Sequence, residues 1–361
     1  MRASWSSGPA RHERTAFVRP PGGRRPARHR SFARPGPPGP IHLRIMKRIL
    51  LTGAQGFIGR HCIRRLQERG FEVHAISRRP VRHDTQGAIW HEAGLLESGT
   101  ARALIDTIRP THLLHLAWFV VPNQLISARE NFDWVRASFD LVRHFSESGG
   151  RRLAVCGSAY EYDWRHGYCT EDFTPLVPDT VYGTCKHALH LMVQAYVSTR
   201  QISAAWPRVF FVYGPHEHPL RLVPSVALSL LRGQPARCSH GRQIRDYLHV
   251  DDVASGLVAV LDSEVQGAIN VSSGQATQLR DITLALGDQI GRPELIQLGT
   301  LPIRPNDAPL VIGANARLRS LGWEPRFNLA DGLRHTVEWW RTVGLQSVLS
   351  NAVGLIGIVG L

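Results

Sequence analysis

The sequence predicts an α/β fold built on a doubly wound parallel sheet, followed by a smaller C-terminal lobe. Two observations predict it. From Lys47 to about Tyr213, short apolar runs alternate with helical stretches, which is the pattern of parallel strands joined by crossover helices. Beyond Tyr213 the alternation weakens and proline-bearing segments such as "YGPHEHPLRLVP" become frequent, which indicates a more irregular lobe.

The predicted strands are short and mostly apolar, as strands buried on both faces of a parallel sheet are. They comprise residues 48–52, 71–76, 88–90, 112–117, 152–157, 204–211 and 268–272. Between the first two strands, Ile58, Cys62 and Leu66 recur every four residues, which places them on one helix face against the sheet. Asp251 and Asp252 begin the helical stretch "DDVASGLVAVL", and we interpret them as its N-terminal caps.

Residues 1–45 are predicted to be a disordered basic extension rich in proline and arginine. They contain one acidic residue, Glu13, and carry +9 of the formal net charge of +14. Without apolar periodicity they cannot bury enough surface to fold. We interpret them as an inert or mis-assigned extension with Met46 as the natural start, in preference to a targeting peptide or a polybasic arm. Because the basicity is concentrated there, we expect no specific nucleic-acid binding.

Cysteine usage and hydropathy indicate the compartment. The five cysteines are odd in number and none lies in a C-x-x-C pair, so we expect neither disulfides nor a metal site, and a cytoplasmic location. The apolar tail, residues 346–361, is too short to span a bilayer, so we expect no membrane span. His216 and His218 lie two residues apart in a loop, and we interpret them as surface histidines.

The segment "TGAQGFIG" places Gly53, Gly56 and Gly59 between the first strand and the first helix. Such a turn presents backbone N–H groups and the positive end of a helix dipole to a pyrophosphate. Gly53 permits the tight turn, Gly56 removes a Cβ that would meet the phosphates, and Gly59 lets the helix approach the strand. A Rossmann-type dinucleotide domain is therefore predicted at 46–213, completed by about 249–273, with a second lobe at 214–248 and 274–345.

The end of the second predicted strand bears on the choice of cofactor. An acid there would accept hydrogen bonds from the adenosine ribose, whereas an arginine favours a 2′-phosphate. The segment "ISRRP" offers Ser77, Arg78 and Arg79 and no acid. NADP is therefore favoured over NAD, although exposed arginines near a strand end are also common as plain surface charge.

A tyrosine and a lysine four residues apart form the predicted reactive pair. Tyr182 and Lys186 lie in "VYGTCK" at a predicted helix start, so both can face one ligand. A tyrosine is a poor base at its ordinary pKa of about 10, but a neighbouring ammonium stabilises the phenolate. Ser158 follows the fifth predicted strand, at the edge where open α/β sheets bind ligands.

These segments together resemble the extended short-chain dehydrogenase/reductases, the NAD(P)-dependent sugar-nucleotide epimerase/dehydratase family. The resemblance runs from about Met46 to Trp340 and rests on "TGAQGFIG", "HLA", "VYGTCK", "RVFFVYGP", "RDYLHVDDVA" and "INVSSG". It implies that Ser158 hydrogen-bonds the reacting oxygen of the substrate, that Tyr182 transfers its proton, and that Lys186 holds the nicotinamide ribose.

The same resemblance implies the other contacts of the site. Beyond the reactive residues, the cofactor would be held by Gly53, Gln55, Gly56, Phe57, Ile58, Gly59, Arg78, Arg79, Leu116 and Ala117. The substrate would be held by Ser158, Ala159, Phe211, Arg245 and Arg304. Arg245 would meet the diphosphate of a nucleotide sugar. A homodimer is implied, packed through the Tyr182 helix and the helix near residues 127–146, and the C-terminal lobe would bind the substrate.

Departures from the family pattern bear on the reaction. Dehydratases of the family carry an Asp-Glu pair directly after the Ser/Thr position, where this chain has Ala159 and Tyr160. Phe211 stands where many members have Asn. We therefore expect an NAD(P)-dependent oxidoreductase acting on a nucleotide-linked sugar, preferably a 4-keto-6-deoxyhexose reductase. The alternatives are an NDP-sugar 4-epimerase that retains NAD and a non-catalytic NAD(P)-binding protein on the same fold.

Overall fold

The computed structural model describes residues 47–81, 87–303 and 307–344. The predictions made for residues 1–45, residues 346–361 and Arg304 lie outside this part of the chain. Its strands are, in chain order, β1 (Lys47–Thr52), β2 (Phe71–Ser77), β3 (Ile89–Glu92), β4 (His112–His115), β5 (Arg152–Val155), β6 (Gly157–Ser158), β7 (Tyr168–Cys169), β8 (Ser203–Val209), β9 (Phe211–Tyr213), β10 (Ala236–Arg237), β11 (Ile244–Arg245), β12 (Tyr247–His249), β13 (Gly267–Val271), β14 (Thr277–Gln278), β15 (Ile296–Gln297) and β16 (Leu310–Gly313).

The α-helices of the described residues alternate with the strands. They are α1 (Gly59–Glu68), α2 (Thr100–Ile108), α3 (Glu130–Glu147), α4 (Val181–Val197), α5 (Leu222–Leu231), α6 (Val250–Leu261), α7 (Leu279–Ile290), α8 (Ala316–Arg319) and α9 (Leu329–Trp339). Short 3₁₀ turns occupy Ala159–Glu161, Trp164–His166 and Pro293–Leu295, and a π-helical turn occupies Trp340–Gly344. Among these residues, no helix combines the length and the apolar character needed to cross a membrane.

The central sheet confirms the predicted doubly wound α/β class. Its strands lie in the order β13-β8-β5-β4-β1-β2-β3, and each neighbouring pair is parallel. The chain runs from β1 outward to β2 and β3, then crosses back to β4 on the other side of β1. A crevice therefore opens at the carboxyl ends of β1 and β4, where folds of this kind bind their ligands.

Helices cover both faces of this sheet, so consecutive strand residues are apolar whichever face of the sheet they point to. Ile49 and Leu51 point to the face covered by α1 and α6, whereas Leu50 points to the face covered by α2, α3 and α4. All three side chains are completely buried. A separate apolar cluster joins α5, α7 and α9 and forms the core of the C-terminal part.

Several strands end earlier than predicted, because the chain leaves the sheet to build the crevice. The predicted strand 112–117 ends at His115, and the predicted strand 152–157 divides into β5 and β6. The predicted strand 204–211 divides after Val209, since the next two residues bond to different partners. The Phe210 N–H donates to the carbonyl of Val271, whereas the Phe211 N–H donates to that of Asp246, and β9 pairs with β12.

The interpretation of Asp251 and Asp252 as helix caps is wrong. The cap of α6 is His249, whose side chain accepts the backbone N–H of Asp251 at 3.2 Å. The Asp251 carboxylate lies 2.7 Å from Nδ1 of His61 on α1. The Asp252 carboxylate accepts the backbone N–H groups of residues 326–327. These acids therefore connect α6 to α1 and to the segment that precedes α9.

Candidate active site

The glycine loop joins β1 to α1 at the floor of the crevice. Gly53 has a φ of +68°, and a Cβ there would lie 2.8 Å from the backbone nitrogen of Ala117. A Cβ on Gly59 would lie 2.1 Å from the carbonyl oxygen of Gly53. These contacts are too short for any side chain, so glycine is what lets the loop pass between α1 and the end of β4. No described side chain caps α1, whose N-terminus faces this loop.

Arg60 is hydrogen-bonded to the glycine loop, a role that its place in the sequence does not predict. Its guanidinium donates to the carbonyl oxygens of Gln55 at 2.7 Å and Gly56 at 3.3 Å. It also lies 2.6 Å from Nδ1 of His216, which follows β9. The loop is thus fixed at two successive peptide units and connected to the C-terminal part. An arginine in a first helical turn is common on surfaces, so no local pattern marks this role.

The end of β2 carries a buried hydroxyl, that of Ser77, followed by two exposed arginines. Oγ of Ser77 lies 2.7 Å from Oε1 of Gln55 and accepts the backbone N–H of Arg79 at 3.1 Å. Arg78 and Arg79 are both exposed. The side chains predicted to choose between NAD and NADP are therefore accessible, and the strand end is joined to the glycine loop through Gln55.

The end of β4 is held against β1 by Thr52. Its hydroxyl accepts the backbone N–H groups of Leu116 at 3.1 Å and Ala117 at 3.2 Å, and it lies 2.7 Å from Nδ1 of His115. Burial lowers the pKa of His115 to about 3, so the imidazole is neutral. The two predicted cofactor contacts, Leu116 and Ala117, thus line the crevice directly opposite Gly53.

Ser158, Tyr182 and Lys186 come together at the carboxyl end of β5 and the start of α4. A hydrogen bond with Ser158 opposes the upward shift that burial imposes on the Tyr182 pKa. Nζ of Lys186 lies 6.0 Å from the centroid of the Tyr182 ring. A Cβ on Gly183 would lie 2.2 Å from the carbonyl oxygen of Tyr160, so glycine brings α4 against the Ser158 turn.

Lys186 is almost fully buried. Its Nζ donates to the carbonyl oxygen of Cys156 at 2.8 Å. Burial lowers the pKa of Lys186 to about 8, because a low-polarity environment disfavours the ammonium. A lysine with this pKa stays mostly charged at neutral pH and can support the phenolate of Tyr182. The three residues can therefore exchange a proton with an oxygen of a bound ligand.

Glu161 lies behind Ser158 in a buried network that the sequence analysis also missed. Its carboxylate accepts the backbone N–H of Ser158 at 2.7 Å, Nε1 of Trp206 at 2.9 Å and Nε of Arg208 at 3.0 Å. Glu161 and Arg208 are both completely buried. Ser158 in turn accepts the backbone N–H of Tyr160, which closes the 3₁₀ turn. The turn that carries Ser158 is thus held by a buried ion pair.

Aromatic rings line the side of the crevice that faces the C-terminal part. The Tyr160 and Trp164 rings are 4.4 Å apart, and the Phe211 ring is 6.0 Å from that of Trp164. The Arg245 guanidinium lies 5.6 Å from the Phe211 ring and donates to Oδ1 of Asp307 at 2.6 Å. Ala159 is buried beside this group. The predicted substrate residues within the described chain are therefore connected through Trp164 to the turn that carries Ser158.

Two groups of ligand-type side chains in the described residues come close enough together to suggest a metal: Glu161 with His187 and His190, and His249 with Asp251 and His335. In the first group the carboxylate is bonded to the Arg208 guanidinium, which lies 3.3 Å from Nδ1 of His190. In the second, His249 accepts a backbone N–H through Nδ1, and its Nε2 is hydrogen-bonded to His335. In the first group, the Arg208 guanidinium therefore occupies the carboxylate that would bind a metal. In the second, both ring nitrogens of His249 are already hydrogen-bonded.

Comparison with known proteins confirms the family. The model of the NAD dependent epimerase/dehydratase family matches residues 49–272. The dTDP-D-glucose 4,6-dehydratase of Mus musculus is 24% identical over 337 residues, which cover 85% of this chain and 91% of that protein. The CDP-abequose synthase of Salmonella typhimurium is 23% identical over 308 residues, which cover 80% of this chain and 97% of that protein.

A solved structure shows the same fold. The UDP-glucose 4-epimerase of Thermus thermophilus, in complex with NAD, matches with a TM-score of 0.74 at 24% identity. The match covers 82% of this chain and 99% of that one. The glycine loop, the Ser158 turn and the Tyr182 helix described above all lie inside the span of the family model. The chain belongs to the NAD dependent epimerase/dehydratase family and is an enzyme of the type that acts on nucleotide sugars.

Proposed function

We propose that the protein is an NAD(P)H-dependent reductase of a nucleotide-linked 4-keto-6-deoxyhexose. The observation that carries this proposal is the composition of the Ser158 turn. The two residues after Ser158 are Ala159 and Tyr160, and the next acid, Glu161, is committed to Arg208 and Trp206. Elimination of water from a sugar needs an acid and a base beside the reacting carbons. Ser158, Tyr182 and Lys186 alone support proton transfer to an oxygen, which is what carbonyl reduction requires.

The glycine loop supports a dinucleotide as the cofactor. Gly53 and Gly59 leave no room for side chains between α1, β1 and β4, and the α1 N-terminus faces the cradle that they form. We propose that Arg78 and Arg79 favour the 2′-phosphate of NADP, because the end of β2 offers them in place of an acid. The Thermus epimerase was solved with NAD, and NAD is the competing choice.

The proposed reaction assigns one step to each side chain. A bound reduced nicotinamide would supply the hydride for the keto carbon of the sugar. Tyr182 donates its hydroxyl proton to the keto oxygen, which becomes the new alcohol, while Ser158 donates a hydrogen bond to that oxygen. Lys186 holds the nicotinamide ribose, and its positive charge stabilises the phenolate left on Tyr182. The phenolate is then reprotonated from solvent.

We further propose that residues 214–248 and 274–345 form the lobe that binds the nucleotide part of the substrate. Arg245 would contact its diphosphate beside the aromatic rings of Trp164 and Phe211. Arg304, which precedes Asp307 by three residues in the sequence, is proposed as a second phosphate contact.

A homodimer through α3 and α4 is also proposed. Phe132 on α3 and Leu191 and Met192 on α4 are exposed, whereas Tyr182 and Lys186 lie on the buried side of α4. Large apolar side chains on adjacent helices are typical of an interface. Light scattering on the Leu191→Glu variant tests this proposal, because a charge on the exposed apolar side of α4 should convert a dimer to a monomer.

The reaction is tested with purified protein, NADPH or NADH, and a panel of nucleotide-linked 4-keto-6-deoxyhexoses. The absorbance of the reduced nicotinamide should fall in proportion to the alcohol formed. The Tyr182→Phe variant is the matched control, since it keeps the ring and removes the proton donor. Interconversion of two sugar epimers without net consumption of cofactor would refute the reductase and establish the alternative 4-epimerase. Binding of NADPH without turnover of any sugar would favour the non-catalytic alternative.

A further inference from the structure

The Lys186 ammonium lies directly over an aromatic ring that the proposed reaction does not use. Nζ is 3.7 Å from the centroid of the Trp118 ring. This distance is well inside the roughly 6 Å over which the face of an indole attracts a cation. Trp118 is 8% exposed and Lys186 is 4% exposed, so the contact is shielded from water. Shielding makes such a contact stronger than it is on a surface.

The indole is held in place by α3 and the segment before it. Nε1 of Trp118 donates to Oδ1 of Asn131 at 2.8 Å. The amide of Asn131 donates to the carbonyl oxygens of Leu125 and Ala128, both at 2.8 Å, so the asparagine cannot turn away. The Trp134 ring stacks with that of Trp118 at 6.2 Å. The ring that meets Lys186 is therefore fixed by a hydrogen bond and by stacking.

We propose that Trp118 is a positioning residue of the active site, whose indole face holds the Lys186 ammonium beside Tyr182. An ammonium has three N–H donors, and the Cys156 carbonyl takes one of them. The face of the indole attracts the positive charge although it has no acceptor lone pair. The ammonium therefore keeps an N–H donor for a ribose hydroxyl. This inference rests on the proposed role of Lys186 at the nicotinamide ribose, but it can be tested without any substrate.

The charge state of Lys186 depends on its neighbours. The titratable groups that face it are His115 at the end of β4, Cys156 after β5, Glu161 in the 3₁₀ turn and Tyr182 on its own helix. Burial lowers the pKa of Lys186, and Cys156 and Glu161 oppose that shift. Burial keeps His115 neutral and Tyr182 protonated. The indole face adds a contact that favours the charged form, so its removal should lower the pKa of Lys186 further.

The pKa of Lys186 can be measured directly, because the chain contains few lysines. The sequence contains two lysines, Lys47 and Lys186, so lysine labelled with ¹³C at Cε gives two signals for the full-length protein. Lys47 pairs with Asp262 and is 43% exposed in its side chain, which makes it an internal reference. The Lys47→Arg variant assigns the signals. Titration with pH then reports the midpoint of each lysine separately.

We expect the Trp118→Leu variant to lower the Lys186 midpoint by about one pH unit and to leave the Lys47 midpoint unchanged. The Trp118→Phe variant should show a smaller shift, because a phenyl ring retains a weaker negative face. A purely space-filling role would leave the Lys186 midpoint unchanged or raise it, because Leu fills less space than the indole and burial is what lowers the pKa of Lys186. Equal Lys186 midpoints in the wild type and in Trp118→Leu would overturn the proposal.

Fluorinated tryptophan provides a second test that does not depend on the folding of a variant. Fluorine withdraws electron density from the ring face and changes the shape of the indole very little. The Lys186 midpoint should fall stepwise as fluorines are added, while Lys47 stays constant; a constant Lys186 midpoint would refute the contact. The role of Lys186 itself is checked separately, by fluorescence titration of NADPH onto Lys186→Ala. Unchanged NADPH affinity in that variant would refute the ribose contact and not the Trp118 contact.

Discussion

The buried ion pair behind Ser158 gives the sharpest test of how the active-site turn is held. Glu161 accepts hydrogen bonds from the Ser158 backbone, from Trp206 and from Arg208, all at 2.7 to 3.0 Å. The Glu161→Gln substitution preserves the size of the side chain. It replaces one acceptor oxygen with an amide that donates, so a donor faces a donor. It also leaves Arg208 charged and buried without its counter-ion.

The expected loss follows from these contacts. Removing one partner of a buried ion pair costs about 3 to 5 kcal/mol, because the other charge stays buried. Unfolding entropy is about 2.1 cal/mol/K per residue, which gives about 0.6 kcal/mol/K for the roughly 290 described residues. The melting temperature of Glu161→Gln should therefore fall by about 5 to 8 °C.

Thermal unfolding followed by circular dichroism measures this loss. Glu68→Gln is the matched control, because it makes the same chemical change in an exposed pair, whose Arg64 and Glu68 side chains are 84% and 54% exposed. That pair should contribute less than about 1 kcal/mol, or under 2 °C. The double variant Glu161→Gln with Arg208→Gln removes the stranded charge and should recover part of the loss. Equal melting temperatures for Glu161→Gln and Glu68→Gln would refute the reasoning.

Three further outcomes are expected. Tyr182→Phe should lower the turnover of the reductase assay by about 10² to 10⁴ and leave NADPH affinity unchanged, measured by steady-state kinetics and fluorescence titration; normal turnover would exclude Tyr182 as the proton donor. Gly59→Ala places a Cβ 2.1 Å from the Gly53 carbonyl oxygen, so NADPH binding should be lost; calorimetry that showed wild-type affinity would contradict the tight loop. His115 has a pKa lowered to about 3 by burial, against about 6.5 when unfolded, so protonation favours the unfolded chain. The free energy of unfolding should decline as pH falls from about 6.5 towards 3, and the melting temperature of His115→Gln should depend less on pH over that range. The same pH dependence in the wild type and in His115→Gln would exclude His115 as the cause of the decline.

The fold class and the position of the glycine loop could be predicted because both depend on short-range patterns. Burial of Ile49, Leu50 and Leu51 on both faces of β1 is readable from a run of apolar residues, and so is a glycine loop between a strand and a helix. The supporting contacts span the chain instead: Arg60 meets His216 across 156 positions. A spacing pattern predicts which residues lie side by side on one helix or strand. It contains no information about which distant strand end or loop will contact those residues.

Glu161 and Trp118 show the same limit at the reactive residues themselves. Glu161 reads as an ordinary polar residue after Ser158, and only the return of β8 places Arg208 against it, 47 positions later. Trp118 follows the "HLA" motif and meets Lys186 because α4 packs against α3. Each partner becomes visible only when the sheet order is known. The candidates Ser158, Tyr182 and Lys186 could thus be proposed from the sequence, whereas the residues that hold them in place could not.

The arginines of the crevice differ in how far they are ordered before a ligand binds. Arg60 is bonded to two carbonyl oxygens, and Arg245 is bonded to a carboxylate and a carbonyl oxygen. Each still has N–H donors to offer, since a guanidinium has five. Arg78 and Arg79 are exposed, so a 2′-phosphate must order them and oppose about 2 kcal/mol of rotamer entropy for each. The proposed selection of NADP over NAD at this end should therefore be modest, whereas Arg245, the proposed contact to the diphosphate of the substrate, is already ordered.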